Sequence, residues 1–461
     1  MPVADVLSAV ADHVKRAPDY DRFRDYEEGR HLYPYATPKF RQKFGWILRQ
    51  ARMNVCYTVR SNFTDLVQIQ AWSGKGADKA SELADTTDLG MVLDLAFNES
   101  WRCGDAYVLA WPGADGEIRP WYHRADQSWF RLDPADPSTV EVQSKIWVTS
   151  DGYGRVNLYY PDVLERWTTL AKVRQEGAEA ITWDMAKADT AWVPFNADGE
   201  AEVQSHSFGR VPWVHLPFDA QSQGGHGRSI LRDVIPMQDG LNHAVHAIVV
   251  NTEKYAAPIR ALMNYQADAT IDPTTGTPRE SKLDLDETRN GIFGVKGPGP
   301  FEQLDPPDSS NILAVKSAWT SDIANTVGIP VSDVVPDLGN IPSGAALRVL
   351  AARRTNTIRA YTKAVRGRVA SLMDLLGVPD AIPEFVDPAP MDDTERVANA
   401  QARLDLGYPL VEVLPDLGEN EQAIDRIIRA AATEQATLAA AGAAAIRAAR
   451  EDPGVMGDGG Q

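Results

Sequence analysis

The sequence predicts an α+β fold in which helices at both ends of the chain flank a β-rich stretch, rather than alternating with single strands. Three observations carry this. Between residues 105 and 216, short apolar runs recur between turn residues, as in DAYVLAWPGADGEIRPWYH. On either side, and above all over 344–376, apolar residues return at threes and fours, the spacing of one helical face. Proline- and glycine-rich stretches at 221–227, 256–310 and 329–343 punctuate the rest.

Taken in order, residues 1–60 read as helix, loop, helix, with Pro34 and Pro38 in the loop. They lead into short apolar strands at 55–59 and 65–72. Residues 81–101 form an amphipathic helix carrying Leu83, Leu89, Val92, Leu93, Leu95 and Ala96. The β-rich stretch has a hairpin turn at 113–116 and strands at 144–149, 155–160, 163–169, 191–194 and 212–216. A glycine-rich break at 221–227 precedes a helix over 228–255 that Pro236 should kink. Residues 256–310 are too long for a linker and read as a small projecting module with two or three strands, including 257–263 and 291–295.

A helix over 311–328 then meets the loop IPVSDVVPDLGNIPSG, which opens the longest helix of the chain. Ser343 is placed to cap it, and Gly377 followed by Pro379 stops it. A helix over 344–376 would be roughly 50 Å long, a spanning strut more than a local packing element. Leu347, Leu350, Ile358, Tyr361, Val365, Val369, Leu372 and Leu376 form its apolar face. Arg348, Arg353, Arg354, Arg359, Lys363, Arg366 and Arg368 fill much of the remainder. Beyond it, helices are expected at 392–406, 410–414 and 419–449, followed by disorder over 451–461.

At 461 residues the chain has room for several domains, and its net charge is −18. That balance argues against gripping nucleic acid through the whole surface, since phosphate affinity is built from Lys and Arg. It is compatible with letting DNA pass. No stretch is apolar for long enough to span a bilayer, and no secretory leader pattern opens the chain. Cys56 and Cys103, the two cysteines, read as buried free thiols, with neither a disulfide framework nor a zinc site.

Catalytic signatures are weak throughout. QGGHG at 223–227 lacks the lysine of a phosphate-binding loop and reads as a hinge. His243 and His246, with Asp239 a turn earlier, could hold a metal for a hydrolase or nuclease, but HExxH is absent and packing is the better reading. The acid pairs at 284–287 and 392–393 read as solvated faces. The arginines of the long helix could meet DNA or the acids of a neighbouring subunit. The second is favoured, because the aromatic interleaving of nucleic-acid readers is missing. No cofactor, metal or catalytic residue is therefore expected.

The order of GRSILRDVIPMQDGLNHAVHAIVVNTEKYAAPIRALMN, FEQLDPPDSSNILAVKSAWTSDIANTVGIP and LGNIPSGAALRVLAARRTNTIRAYTKAVRGRVASLMDLLG, after EGRHLYPY, MNVCYTVRS and CGDAYVLAWPGADGEI, resembles the portal proteins of tailed bacteriophages. The likeness covers roughly 23–429 and is closest to portals of long-tailed phages of Gram-positive and actinobacterial hosts. It implies a ring of twelve subunits at one capsid vertex, around a channel for packaging and ejecting double-stranded DNA. It implies a wing over 1–227, stem helices at 228–255 and 311–328, a clip at 256–310, a tunnel loop at 329–343, a long helix at 344–377 and a helical crown over 378–450. The tunnel loop would face DNA through Asp333, Asp337, Asn340 and Ser343, and Arg348, Arg353, Arg354 and Arg359 would meet neighbouring subunits. Implied partners are the terminase large subunit, the major capsid protein and a head-to-tail connector. The place is the virion, after assembly in the host cytoplasm, with no membrane contact.

An alternative reading, a minor capsid adaptor without a channel, shares the same chemistry-poor sequence.

Overall fold

A computed structural model describes residues 2–30, 38–173, 191–196, 202–255, 310–335, 344–389 and 393–409. Shorter pieces are described at 259–263, 270–271, 274, 278–279, 292–295, 302–304, 413–414, 427–430 and 433. The fold mixes helix and sheet, as the sequence predicts. It divides into two units, Met1–Ile341 with Leu350–Pro388, and Pro342–Val349 with Ala389–Gln461.

In the large unit, α1 (Pro2–Glu27), α2 (Pro38–Gln50) and α3 (Val55–Thr64) come first. The expected strand at 55–59 is thus the start of a helix. VCYTV reads as strand by its β-branched, apolar character, but burial recurs at Val55, Val59 and Phe63, a helical spacing that packing rewards. Asn54 caps it by accepting from the Tyr57 amide.

Next come β1 (Ile69–Ser73), α4 (Ala77–Thr86) and α5 (Leu89–Cys103). The single helix expected over 81–101 is therefore two. Thr87 is extended, at φ −128° and ψ 172°, and its hydroxyl accepts from the Leu89 amide. Helix α5 is the centre of the main core. Trp101 is fully buried, stacked on Phe63 at 4.9 Å and Phe218 at 4.0 Å. Each such aromatic pair adds about 1 kcal/mol beyond its buried area.

The hairpin of β2 (Tyr107–Pro112) and β3 (Ile118–His123) turns where expected, Gly113 N–H donating to the Glu117 carbonyl at 2.7 Å. An antiparallel sheet follows from β4 (Ser128–Leu132), β5 (Val140–Val148), β6 (Tyr153–Tyr159), β7 (Val163–Lys172) and β8 (Trp192–Pro194), with β9 (Val203–Ser205) paired to β7. Alternation along β6 sends Val156 and Leu158 to one face, covered by Val6, Ala9 and Val10 of α1. Tyr159 points the other way, to Tyr107, Leu109 and Trp213. Trp213 lies in β10 (Trp213–His215), which pairs antiparallel with β2.

Helix α6 (Ile235–Tyr255) begins later than expected, after turns over 230–234. Pro236 consequently sits in the first turn, where its missing N–H costs nothing, and not at an interior kink. Strands β11 (Ile259–Met263), β12 (Thr270–Ile271), β13 (Pro278–Arg279), β14 (Ile292–Val295) and β15 (Glu302–Leu304) follow. In the order β14-β11-β15, β11 runs parallel to β14 and antiparallel to β15, so the strands expected at 257–263 and 291–295 are both present.

Helices α7 (Ser310–Val327) and α8 (Gly344–Leu375) complete the pattern, and Gly377, at φ +82°, follows the long helix as its stop signal predicts. Strand β16 (Ile382–Phe385), absent from the sequence reading, pairs antiparallel with β1. In the small unit, α9 (Asp393–Asp405) ends in a turn where Tyr408 N–H donates to the Arg403 carbonyl at 3.1 Å. The loop residues 336–343 and most of the predicted helix at 419–449, together with the tail at 451–461, lie outside the described residues.

Candidate functional site

The turn joining α7 to α8 is built around a glycine. Gly328 has φ +80°, and its amide and that of Ile329 both return to the Ala324 carbonyl, at 2.8 and 3.0 Å. The side chain of Arg353 crosses this turn, Nη1 donating to the Asn325 carbonyl at 2.8 Å and Nη2 to the Thr326 carbonyl at 3.1 Å. A cation thus caps the negative end of α7.

Beyond buried Ile329 and Pro330, a 3-10 turn at Val331–Asp333 brings Asp333 back against the long helix. Arg354 Nη1 lies 2.5 Å from the Asp333 carboxylate and 2.9 Å from Asn62 Oδ1 on α3. Of the residues expected to line a channel, Asp333 is therefore held in an ion pair, while Asp337, Asn340 and Ser343 lie outside the described residues.

Arginines continue to fasten α8 along its length. Arg359 binds Asp387 in a bidentate pair at 2.8 and 2.9 Å, Arg366 reaches Glu384 of β16 at 2.5 Å, and Arg368 donates to the His215 carbonyl at 2.9 Å. Arg348 is partly buried near the start of the helix. Of the predicted apolar face, Ile358, Tyr361, Val365, Val369 and Leu372 are buried as expected. Leu350 is 51% exposed, a departure, because the buried positions at this end shift to Ala351. The side chain of Leu347 lies outside the described residues.

Two buried charge clusters hold the large unit together, and neither is visible in local sequence. In the first, Arg24 reaches Glu99 at 2.5 Å and Asp126 at 2.7 Å, while Glu27 receives Arg60 at 2.5 Å and Arg102. Helices α1, α3 and α5 are joined by it. In the second, Asp105 accepts from Tyr20 at 2.7 Å, His215 at 2.7 Å and the Gly227 amide at 2.8 Å. Burial alone would raise the pKa of Asp105, but the hydrogen bonds from His215 and His226 outweigh it and hold the carboxyl well below the usual range.

Asp105, His215 and His226 are also the described residues that come close enough to share a metal, their candidate atoms lying within 4.8 Å of one another. The guanidinium of Arg16 already stands there, 2.7 Å from His226 Nδ1 and 3.5 Å from Asp105. Its positive charge fills the role a cation would take, so the donor set fits an internal ion pair better than a metal centre. The set considered from sequence does not converge: Asp239 accepts from Tyr26, at 2.8 and 2.9 Å, and His243 faces a groove beside Trp319.

The QGGHG segment, read as a hinge, is anchored instead. Gly227 crosses the backbone of Gly104 so closely that a Cβ on it would fall 1.9 Å from the Gly104 carbonyl oxygen. Both cysteines are buried and free, as expected.

Among the described residues, no helix is long and apolar enough to cross a membrane. The sequence pattern of the family described as phage portal protein, SPP1 Gp6-like, matches residues 10–435. No curated protein matches the chain. Among solved structures it is similar to a chain from the neck of a native GTA particle computed with C12 symmetry, at 14% identity and TM-score 0.43, covering 82% of this chain and 95% of that one. A chain from the neck of an empty GTA particle computed with C6 symmetry matches at 14% identity and TM-score 0.44, covering 82% and 94%. A chain from the virion of a native gene transfer agent particle matches at 15% identity and TM-score 0.43, again covering 82% and 94%.

Proposed function

The chain belongs to the SPP1 Gp6-like family of phage portal proteins, a structural component of the virion and not an enzyme, and from that membership we propose that it forms the ring through which the genome passes. The observation that carries the reading is the family match over residues 10–435, which takes in the stem helices, the loop and the long helix alike.

In this reading twelve copies surround a channel at one capsid vertex, and double-stranded DNA moves through it during packaging and ejection. Residues 1–227 are the wing, 228–255 and 311–328 the stem helices, 256–310 the clip, 329–343 the tunnel loop, 344–377 the long helix and 378–450 the crown. The clip receives the terminase large subunit during packaging and the head-to-tail connector afterwards, and the outer surface meets the major capsid protein. Assembly takes place in the host cytoplasm. The likeness of the motif order to portals of long-tailed phages of Gram-positive and actinobacterial hosts supports a long-tailed phage as the source.

Asp333, Asp337, Asn340 and Ser343 belong to the segment that faces DNA. A loop carrying acids and amides but no Lys or Arg favours weak, sliding contact, since phosphate affinity grows with each cation presented. Arg353, Arg354 and Arg359 have partners within the chain, so their part in subunit contacts is to set the shape of the surface that a neighbour meets. Arg348, partly buried near the start of the long helix, belongs to the same surface.

Negative-stain imaging of the purified full chain tests the reading. Rings with a central opening are expected. A population of only monomers and dimers under all conditions removes the ring, and closed discs without an opening favour an adaptor. Asp333→Lys and Asp337→Lys are expected to impair packaging or DNA retention; unchanged packaging would displace the loop from the channel wall.

A further inference from the structure

Arg368 differs from three other arginines of α8. Arg354, Arg359 and Arg366 each face an acid of the same chain, whereas the guanidinium of Arg368 has one partner, the His215 carbonyl, reached through Nη1. Among the described residues no carboxylate stands within ion-pair distance of it, and Nε and Nη2 have no acceptor. Burial pushes its pKa down, and Asp105, further off, only partly offsets this. A partly buried charge without a counterion is costly, and such charges are ordinarily paired.

Arg368 lines a cavity of about 310 Å³ between α8, β5 and the glycine-rich segment. Gln143 and Ser138 share its polar wall, and Leu132, Val140 and Trp213 form an apolar one. We propose that this cavity is a binding site for a carboxylate, gripped side-on by Nε and Nη2 of Arg368 with its methylene stem against Leu132, Val140 and Trp213.

The chemistry selects this ligand class. With Nη1 engaged, the free edge of the fork is the Nε/Nη2 pair, whose two parallel N–H bonds match the two oxygens of a carboxylate. One positive charge balances one negative charge. A phosphate dianion would bring a second negative charge toward buried Asp105, where the nearby cations are already engaged, Arg16 by Asp12 and Asp105 and Arg210 by Asp374. The apolar wall suits an aliphatic stem.

Two sources supply that chemistry. One is an Asp or Glu side chain of a second copy of this chain, which carries 64 acidic against 46 basic residues; this source rests on the ring reading. The other is a small organic acid from solution, which does not.

The test is calorimetric titration of the full chain with sodium propionate, a mimic of the Glu side-chain end, against neutral propionamide at constant ionic strength. It is run on free subunits and on assembled particles separated by size. Saturable binding of propionate to the subunit, at least tenfold tighter than propionamide and weakened at least tenfold in Arg368→Gln, is expected. That variant keeps a donor for the His215 carbonyl.

If a neighbour supplies the carboxylate, assembled particles do not bind propionate, and saturating propionate or Arg368→Gln shifts mass-photometry profiles toward subunits. If solution supplies it, both forms bind and assembly is unchanged. Subunits that fail to distinguish propionate from propionamide overturn the proposal without needing the variant to fold. Subunits that bind propionate but never assemble leave the pocket standing and remove the ring.

Discussion

Arg354 Nη1 lies 2.5 Å from the Asp333 carboxylate, an ion pair that ties the first residues after α7 to the long helix 21 positions further along the chain. The pair is mostly shielded, with side-chain exposures of 14% for Arg354 and 26% for Asp333, and Arg354 also serves Asn62. Removing either partner should leave the other with an unmet charge.

Asp333→Asn and Arg354→Met are each expected to lower stability by about 1–3 kcal/mol, the range for losing one side of a charged hydrogen bond. The two changes should couple by about 1 kcal/mol in a double-mutant cycle measured by urea unfolding. Strict additivity would show that the contact contributes nothing of its own.

Two glycines should respond very differently to alanine. At Gly328, φ is +80° and the new Cβ meets Cγ and Cδ of Arg353, a side chain that can swing aside by giving up its cap on α7, so Gly328→Ala should cost about 1–3 kcal/mol. At Gly227 the obstruction is the Gly104 backbone at 1.9 Å, which cannot move without breaking the Asp105 cluster. Gly227→Ala should therefore yield no soluble folded chain, while Gly328→Ala remains soluble with a lowered unfolding midpoint.

Acid stability should depend on His123. Burial, helped by Lys145, holds its pKa down to about 3 in the folded chain, against an ordinary value of 6.5. The unfolded chain therefore takes up a proton at higher pH than the folded one. The contribution of His123 is complete above pH 6.5 and is lost as pH falls toward 3, at up to about 1.4 kcal/mol per pH unit. Burial lowers the pKa of His13 and His215 too, so their effects add with the same sign. His123→Phe, which retains an aromatic ring against Trp213, should flatten the fall in urea midpoint between pH 6.5 and 4. An unchanged slope would mean that His123 is protonated in the native state.

Thiol chemistry gives a simple readout of packing. Cys56 and Cys103 are almost wholly buried, and burial raises both thiols far above their ordinary range. Ellman titration should find no fast-reacting thiol in the native chain and two in urea. Rapid reaction of Cys103 would mean that α5 opens readily.

What could be read from the sequence was what short-range pattern records. The periodicity of α8 and its Gly377 stop, the 113–116 hairpin and the strands on either side of residues 264–291 all depend on neighbours a few positions apart. Elements decided by distant partners were misread or missed. VCYTV has strand-like composition, yet Gln238, far along the chain, receives the Val55 amide and fixes a helix there. Strand β16, short and containing Pro383, exists because β1 lies beside it. Asp105 follows a glycine at the head of an apolar run, the one local hint of its importance, but Tyr20, His215 and Gly227 come from 85 to 122 positions away. Likewise, spacing revealed which arginines share α8 without revealing which acids they meet.

The fastenings along α8 have a mechanical meaning. A pull on the segment that leaves α7 reaches the helix through Arg353 and Arg354, and from there divides among α3, Asp387, the β16 strand and the His215 backbone. No single contact carries the whole tension. Strand β16 would be loaded in shear against β1, so that its ladder bonds resist together instead of opening one by one. A strut anchored at several points around its girth behaves as a stiff lever, and a tug on the loop is passed to the body of the subunit instead of being absorbed by bending.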